Sequence, residues 1–451
     1  MPYHSLINCP GFKILKTDMH IFFSGIGGSG IGPIAQIALK AGYKVSGSDK
    51  RDSNYIKYLR EHGIDDIVLS QTKESIAEIH KNNPIDWFVY TSALTMENDN
   101  PPEIEFCHEN NIKTSKRDAF LSQFLSDNGL KLIAVAGTHG KTTTTAMMVW
   151  LFKKLGIPVS YVLPAKTSFA QMGDYDKDSR YFVYEADEFD RNFLAFEPYL
   201  SLITGVSWDH HEIYRTQQDY IDAFKEFIDK SARIIVWQSD ADFMSLENTP
   251  NTEVLGQNNE LIDKIKVAGL YNRRDAYLAL RAIEELGLSD QEERLMEFLG
   301  EFPGLSRRME EIIPNLYSDY AHTPEKITAA LNVAKELIDS AKGNQKLVVV
   351  YEPLTNRRQH YIKEKYKDLF LSVDQLYWVP SYLAREDNNL AILSPKQLIE
   401  ELDDSVSASP ADLNEELKGK ITAHLKNNDL VVAISGGGGN SLDEWLRANF
   451  L

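Results

Sequence analysis

Ala134-Val-Ala-Gly137-Thr-His-Gly140-Lys141-Thr142-Thr143 is the stretch whose reading decides the fold of this chain. An apolar run, Leu132 to Val135, leads into it, and Thr144 to Trp150 continues it as a helix pattern. Strand, glycine-rich turn and helix in that order make a phosphate-binding loop. Glycines let backbone N–H groups close round phosphate oxygens, and the helix N-terminus adds partial positive charge. Lys141 then reaches the terminal phosphates and the Thr142 hydroxyl ligates Mg²⁺. In the usual GxxxxGK[ST] spacing the first glycine would fall at Val135, whereas here it stands at Gly137. An ordinary strand-to-helix turn is the alternative, but it gives Gly-Lys-Thr no task. The expectation is an ATP site, with Gly137, Thr138, His139, Gly140, Lys141, Thr142 and Thr143 around the nucleotide.

Downstream, Arg180 to Tyr184 reads as a buried strand that ends in Glu185-Ala-Asp187-Glu188. Hard Mg²⁺ takes carboxylate oxygens, and an acid ending the strand beside a phosphate loop supplies them. Glu185, nearest the strand end, is the first choice as metal ligand; Asp187 and Glu188 read as solvated loop charges. The next strand, Tyr199 to Val206, runs into Ser207-Trp-Asp209-His210-His211-Glu212, where His210 is expected to serve the metal or a phosphate. Ala232 to Trp237 continues the parallel pattern, and Ala268-Gly-Leu-Tyr-Asn272-Arg-Arg-Asp275 opens a helix expected over 276–286.

Upstream, Met19 to Ser24 is a short strand pattern entering Gly25-Ile-Gly27-Gly28-Ser29-Gly30, followed by a helix and a second strand ending at Ser48-Asp49. Gly25, Gly27 and Gly30 satisfy GxGxxG in its strand–turn–helix setting, which favours a nucleotide or pyrophosphate site. Asp49 then accepts from a ribose or base of a dinucleotide, or from the uridine of a sugar nucleotide. Asp86 to Ser92 reads as another strand, placing Thr91 and Ser92 at the ligand-binding edge of a parallel sheet, ahead of a polar loop at Glu97 to Pro102. Ser126-Asp-Asn-Gly129 is a linker-like break.

The last third carries Arg307-Arg308, then Tyr317-Ser-Asp319-Tyr320-Ala-His322-Thr-Pro324-Glu325, a strand end and a helix start with Thr323 as cap. Lys346 to Tyr351, Gln375 to Val379 and Asp429 to Ile434 are further strands; the last feeds the four-glycine turn Gly436 to Gly439, which suits a phosphate or a plain turn equally. The chain is therefore expected to be α/β with three domains. These are a Rossmann-like N-terminal domain (1–128), a central P-loop ATPase-type parallel-sheet domain (129–298) and a C-terminal Rossmann-like α/β domain (299–451).

The totals agree with a soluble enzyme. Of 451 residues, 43% are hydrophobic and 25% charged, and the formal net charge of −18 argues against a nucleic-acid partner, which needs a basic face. Cys9 and Cys107 are the only cysteines, so no disulfide framework is expected. Met1 to Asn8 has no signal-peptide pattern, and no apolar run approaches the ~18 residues of a membrane span. A cytoplasmic monomer or weak homodimer without membrane contact is the expectation.

Gly137 to Thr143, Glu185-Ala-Asp187-Glu188 and Asp209-His210 together resemble the ATP-dependent Mur ligases, which build the peptide of peptidoglycan. Asn272, Arg307-Arg308 and Asp319 to Glu325 extend the resemblance into the last third, and Gly25 to Gly30, Gly47-Ser-Asp49, Thr91-Ser-Ala and Asn100-Pro carry it into the first. Folylpolyglutamate synthetase shares the central design but not this first segment. The resemblance is strongest to members that join L-alanine to UDP-N-acetylmuramate. It implies a sugar-nucleotide site at Gly25, Gly27, Gly28, Ser29, Gly30, Asp49, Thr91 and Ser92, with ATP and Mg²⁺ as cofactors. Thr142, Glu185 and His210 would hold the metal; Asn272 would meet adenine, Arg308 and Asp319 the ATP, and Tyr320 the amino acid. Lys141, His210, His322 and Arg358 are the catalytic candidates.

Some positions depart from that pattern. Gly205 stands where the family usually has Asn, and Ser207 where it has an acid. Leu354-Thr355 replaces the His-Arg pair of alanine-adding members, leaving Arg358 as the matching arginine, while Glu352-Pro-Leu-Thr-Asn356 is similar to the branch that adds a recycled tripeptide to the same sugar nucleotide. From another class, an NAD-dependent oxidoreductase would use Gly25 to Asp49 but leave the Lys141 loop idle, and a noncatalytic nucleotide-binding protein would have no need of intact Lys141, Thr142, Glu185 and His210.

Overall fold

The computed structural model describes residues 18–210, 213–246, 249–256, 259–341, 344–383, 386–387 and 389–451; Cys9, His211 and Glu212 lie outside them. The described chain is an α/β protein with three mainly parallel sheets.

The first sheet has five parallel strands, in the order Ile67–Val68, Lys44–Ser48, His20–Ser24, Trp87–Tyr90 and Lys113–Lys116. Register puts Ser48, Ser24, Tyr90 and Lys116 in one row at its carboxyl edge. The order reverses between His20–Ser24 and Trp87–Tyr90, and such a switch point is where parallel sheets open a ligand crevice. The Gly25 to Gly30 turn leaves the sheet there.

The second sheet runs Thr252–Leu255, Ile234–Trp237, Leu200–Ile203, Lys131–Ala136, Tyr181–Glu185, Ser160–Val162 and Gly173–Asp174, with only the last pair antiparallel. Val135 pairs with Glu185 and Ala136 with Ile203, so the phosphate loop, the acidic loop and the Thr204 loop all leave the sheet side by side. One apolar cluster, from Ile21 through Phe120, Phe124 and Tyr184 to Met244, joins these two sheets. The described residues within 1–165, 170–259 and 278–298 form one compact unit.

The other unit comprises residues 166–169, 260–277 and 299–451. Its six strands are ordered Glu310–Ile313, Leu316–Asp319, Leu430–Ser435, Leu347–Glu352, Gln375–Trp378 and Ala408–Pro410, the first pair antiparallel. Val349 and Tyr351 face one apolar cluster with Ile327 and Ala334, while Val348 and Val350 face another with Ile421 and Leu446. Helices cover both faces, which is why the strand reads as an unbroken apolar run.

Two local expectations shift. The helix expected over 276–286 begins earlier and spans Leu270–Glu285, because Gly269, at φ +88°, is the break and the polar run after it forms the first turns. Ser92–Glu97 is a helix where the sequence suggested the end of a strand.

Candidate active site

The phosphate loop turns on two glycines. Gly137 has φ +146°, and a Cβ there would meet the Thr204 hydroxyl at 2.5 Å and the Gly205 carbonyl at 2.8 Å. Gly140, at φ 78°, caps the helix Lys141–Leu155. Its first amides, on Lys141, Thr142 and Thr143, lie where a helix has no carbonyl partners to offer, the position that suits an anion. Thr138 braces the loop: its N–H donates to the Gly205 carbonyl (2.6 Å), and its hydroxyl donates to the Ser207 carbonyl (2.8 Å) and lies 2.7 Å from the Tyr220 hydroxyl. The Thr204 hydroxyl donates to the His139 carbonyl, and His139 Nε2 lies 3.1 Å from the Ser207 hydroxyl.

Lys141 donates from Nζ to the Gly137 carbonyl at 2.5 Å and to Glu188 Oε2 at 2.7 Å. Burial alone would lower the pKa of its ammonium; the charges of Glu188, Glu185 and Asp187 outweigh that and raise it, so Lys141 is held as a cation. Glu188 is 1% exposed, so it is no solvated loop charge. Tyr214 donates to its carbonyl at 2.6 Å, and His210 Nε2 lies 3.7 Å from its Oε1. The sequence missed Glu188 because nothing local marks it as buried.

The Thr142 hydroxyl donates to Glu185 Oε2 at 2.8 Å. Two hard oxygen donors at that separation match one edge of an octahedron whose bonds are about 2.1 Å, so the pair fits Mg²⁺. His210, at φ 53° and edge-on to Phe189, is brought to Glu188. Among the described residues no group of three or more His, Cys, Asp or Glu side chains is disposed to hold a metal.

At the first sheet's edge, Gly25 and Ile26 donate their N–H groups to the Ser48 carbonyl, and Gly27 donates to Asp49 Oδ2 at 2.9 Å. Asp49 thus holds the turn itself. Gly28 and Ser29 are exposed at its tip, and Thr91 lies across from Gly25. Ser92 turns its hydroxyl to Asp190, 2.6 Å away. Beneath this edge the buried Glu103 accepts from the Ser24 and Ser48 hydroxyls, both at 2.6 Å. Burial pushes its pKa up, against those two hydrogen bonds, to about 7.

The Mur ligase family catalytic-domain model matches residues 20–128, and the Mur ligase middle-domain model matches residues 135–279. The chain belongs to the Mur ligase family. It is 27% identical to the UDP-N-acetylmuramate–L-alanine ligase of Clostridium acetobutylicum, over 94% of this chain and 96% of that protein. Its fold is similar to that of UDP-N-acetylmuramate-alanine ligase from Thermotoga maritima, with a TM-score of 0.71, 23% identity, and 93% and 96% of the two chains covered. It is also similar to a murein peptide ligase from Psychrobacter arcticus, with a TM-score of 0.61, 20% identity, and 95% and 98% covered.

The remaining Mur ligase candidates lie in the second compact unit. Asn272, in the first turn of its helix, donates to the Ala268 carbonyl at 2.9 Å. The guanidinium groups of Arg307 and Arg308 lie 4.6 Å and 5.2 Å from the Tyr320 ring centre. Asp319 accepts from the Met309 and Ala321 N–H groups, both at 2.9 Å, so it braces the turn that presents both arginines. Burial raises its pKa despite Arg308 and those hydrogen bonds. His322 Nδ1 lies 3.0 Å from the Tyr320 carbonyl; burial, then Lys326, Arg358 and Arg308, push its pKa down to about 3. Arg358 opens the helix Asn356–Ile362, with its N–H on the Thr355 hydroxyl. The four-glycine turn is partly a packing device: a Cβ on Gly436 would fall 2.8 Å from that of His322, and one on Gly437 2.7 Å from Tyr382. No described helix is long and apolar enough to cross a membrane.

Proposed function

We infer that this chain is an ATP-dependent ligase that joins L-alanine to UDP-N-acetylmuramate through an acyl phosphate, a step of peptidoglycan synthesis. The observation that carries the reading is the loop in which Lys141 bridges Gly137 and Glu188 beside the Thr142–Glu185 oxygen pair. It stands in a chain similar along 94% of its length to ligases of that name.

A carboxylate is a poor acyl donor, so the γ-phosphoryl of ATP is first transferred to it. Lys141 offsets the charge that develops on the transferring group, and Glu188 holds that ammonium in place and protonated before the nucleotide arrives. Thr142 and Glu185 would hold Mg²⁺, which would supply Lewis-acid stabilisation of the phosphates. The Gly25 to Gly30 turn, with Thr91, takes the sugar nucleotide's diphosphate side. The amine then attacks the acyl phosphate and phosphate leaves. His322 borders the amine as a neutral hydrogen-bonding group, since a base with its pKa pushed to about 3 is too weak to take the proton. Asn272, Arg308 and Asp319 are assigned to the nucleotide, and Tyr320 and Arg358 to the amino acid. The three domains 1–128, 129–298 and 299–451 divide these tasks.

Phosphate release from Mg-ATP should require UDP-N-acetylmuramate and L-alanine together. Release with the recycled tripeptide but not L-alanine would move the amine assignment, and release that needs neither would refute the ligase reading.

A further inference from the structure

The loop that follows Tyr181–Glu185 serves two neighbours. Glu185 and Glu188 face the phosphate loop through Thr142 and Lys141. Asp187 and Asp190 face the edge of the first sheet. Asp190 Oδ2 accepts from the Ser92 hydroxyl and the Lys116 ammonium, both at 2.6 Å, and Asp187 Oδ2 lies 3.7 Å from Arg117 Nη2. Arg117 divides its fork three ways. Nε donates to Asp118 at 3.2 Å, Nη2 faces Asp187, and Nη1 presses on the glycine turn, where a Cβ on Gly30 would fall 1.9 Å from it.

Between these anchors the loop holds a shape that L residues resist. Asp190 and Arg191 both have left-handed backbones, φ 53° and 55°. Arg191 N–H and the Tyr214 hydroxyl both donate to the Glu188 carbonyl, so the anchored end and Glu188 move together. A guanidinium has five donors, so Arg117 can grip a phosphate on the turn while keeping its carboxylates.

We propose that the loop Glu185–Arg191 couples the two nucleotide sites. Lys116, Ser92 and Arg117 position Asp190 and Asp187, which hold Glu188 against Lys141. A phosphate-bearing ligand on the Gly27 to Gly30 turn pins Arg117, and through this loop it strengthens binding of Mg-ATP. Lys116 and Asp190 are on this account positioning residues. The proposal rests on the assignment of a sugar nucleotide to the first site and ATP to the second.

Binding of a non-hydrolysable Mg-ATP analogue should be measured on the whole chain, with and without saturating UDP-N-acetylmuramate. Wild type should show the analogue's Kd fall about 10-fold, and linkage requires the analogue to tighten the sugar nucleotide by the same factor. Asp190→Asn and Lys116→Met should each bring the factor below about 2 while shifting the affinity for either ligand alone by less than about 3-fold. Lys116→Arg, which keeps the charge, should restore most of it. A packing defect alone would lower thermal stability without selectively erasing the coupling. Should one variant fail to fold, the other decides. Coupling that persists in the folded variants, or a wild type that binds both ligands independently, overturns the proposal. A wild type that binds ATP but no sugar nucleotide overturns the functional reading instead.

Discussion

Replacing Glu188 with Gln tests the electrostatic core of the site. The Gln side chain keeps the shape and an oxygen acceptor for Lys141, so what changes is one unit of charge in a place 1% exposed. Across the 2.7 Å separation, an effective dielectric constant near 20 gives an attraction of roughly 6 kcal/mol. Keeping a carboxylate out of water offsets part of that, and stranding one partner of a buried pair costs about 3–5 kcal/mol. Ligand-free Glu188→Gln should therefore lose about 3 kcal/mol, a drop in Tm of about 5–10 °C for a unit of this size. ATP reverses the order: its phosphates bring back the missing negative charge beside Lys141. Thermal unfolding with and without saturating Mg-ATP should show a larger nucleotide-induced rise in the variant than in wild type. Equal Tm values without nucleotide, or equal rises with it, would refute the claim that Glu188 holds Lys141 in the empty loop.

Three further outcomes follow from individual positions. Gly137→Ala should abolish detectable Mg-ATP binding while UDP-N-acetylmuramate binding survives, because its Cβ has no room against Thr204 and Gly205 at φ +146°; wild-type ATP affinity would contradict this. Gly205→Asn should fold and keep its Tm within about 2 °C, since a Cβ there meets nothing within 4 Å, and substitutions that break no packing stay near ±0.5 kcal/mol; a collapse in Tm would show that Gly205 is required. Glu103→Gln should flatten the pH dependence of unfolding. A carboxyl whose folded pKa is raised from 4.5 to about 7 contributes stability that is present below pH 4.5 and is lost as pH rises through 7. That amounts to roughly 3 kcal/mol of wild-type stability lost between those limits, read from urea titrations at several pH values. Parallel wild-type and variant curves would refute it.

The central strands and both glycine loops were legible in the sequence because each couples an apolar run to a turn residue that only its geometry explains. Leu132 to Val135 before Gly137, and Met19 to Ser24 before Gly25, are of this kind. Gly173–Asp174 and Ile67–Val68 were not legible: two residues carry no period, and only the neighbouring strand makes them strands. Side-chain roles divided in the same way. Lys141, Thr142 and Glu185 follow from spacing along one loop and one strand end. Asp49 was read as facing a ligand, yet it accepts from Gly27, and Ser92 was read the same way, yet it bonds Asp190; in both cases the partner lies far along the chain or across a turn. Glu188 looked solvated because its burial comes from Tyr214, Tyr220 and His210, carried by the loop and helix that follow the strand Leu200–Ile203.

The misplaced first glycine of the phosphate loop has the same origin. The strand runs on to Ala136, which still pairs with Ile203, so the chain cannot leave the sheet at Val135. It leaves at the next residue, where it must pass directly over the end of the neighbouring strand; the Thr138 N–H reaches the Gly205 carbonyl and the Thr204 hydroxyl reaches the His139 carbonyl. That crossing admits no side chain, so the glycine sits at 137 and only Thr138, His139 and Gly140 separate it from Lys141. The positive charge that phosphates need comes from Lys141, whose ammonium is held between the Gly137 carbonyl and Glu188. The glycine spacing is thus the consequence of one constraint, the extra residue of strand at Ala136.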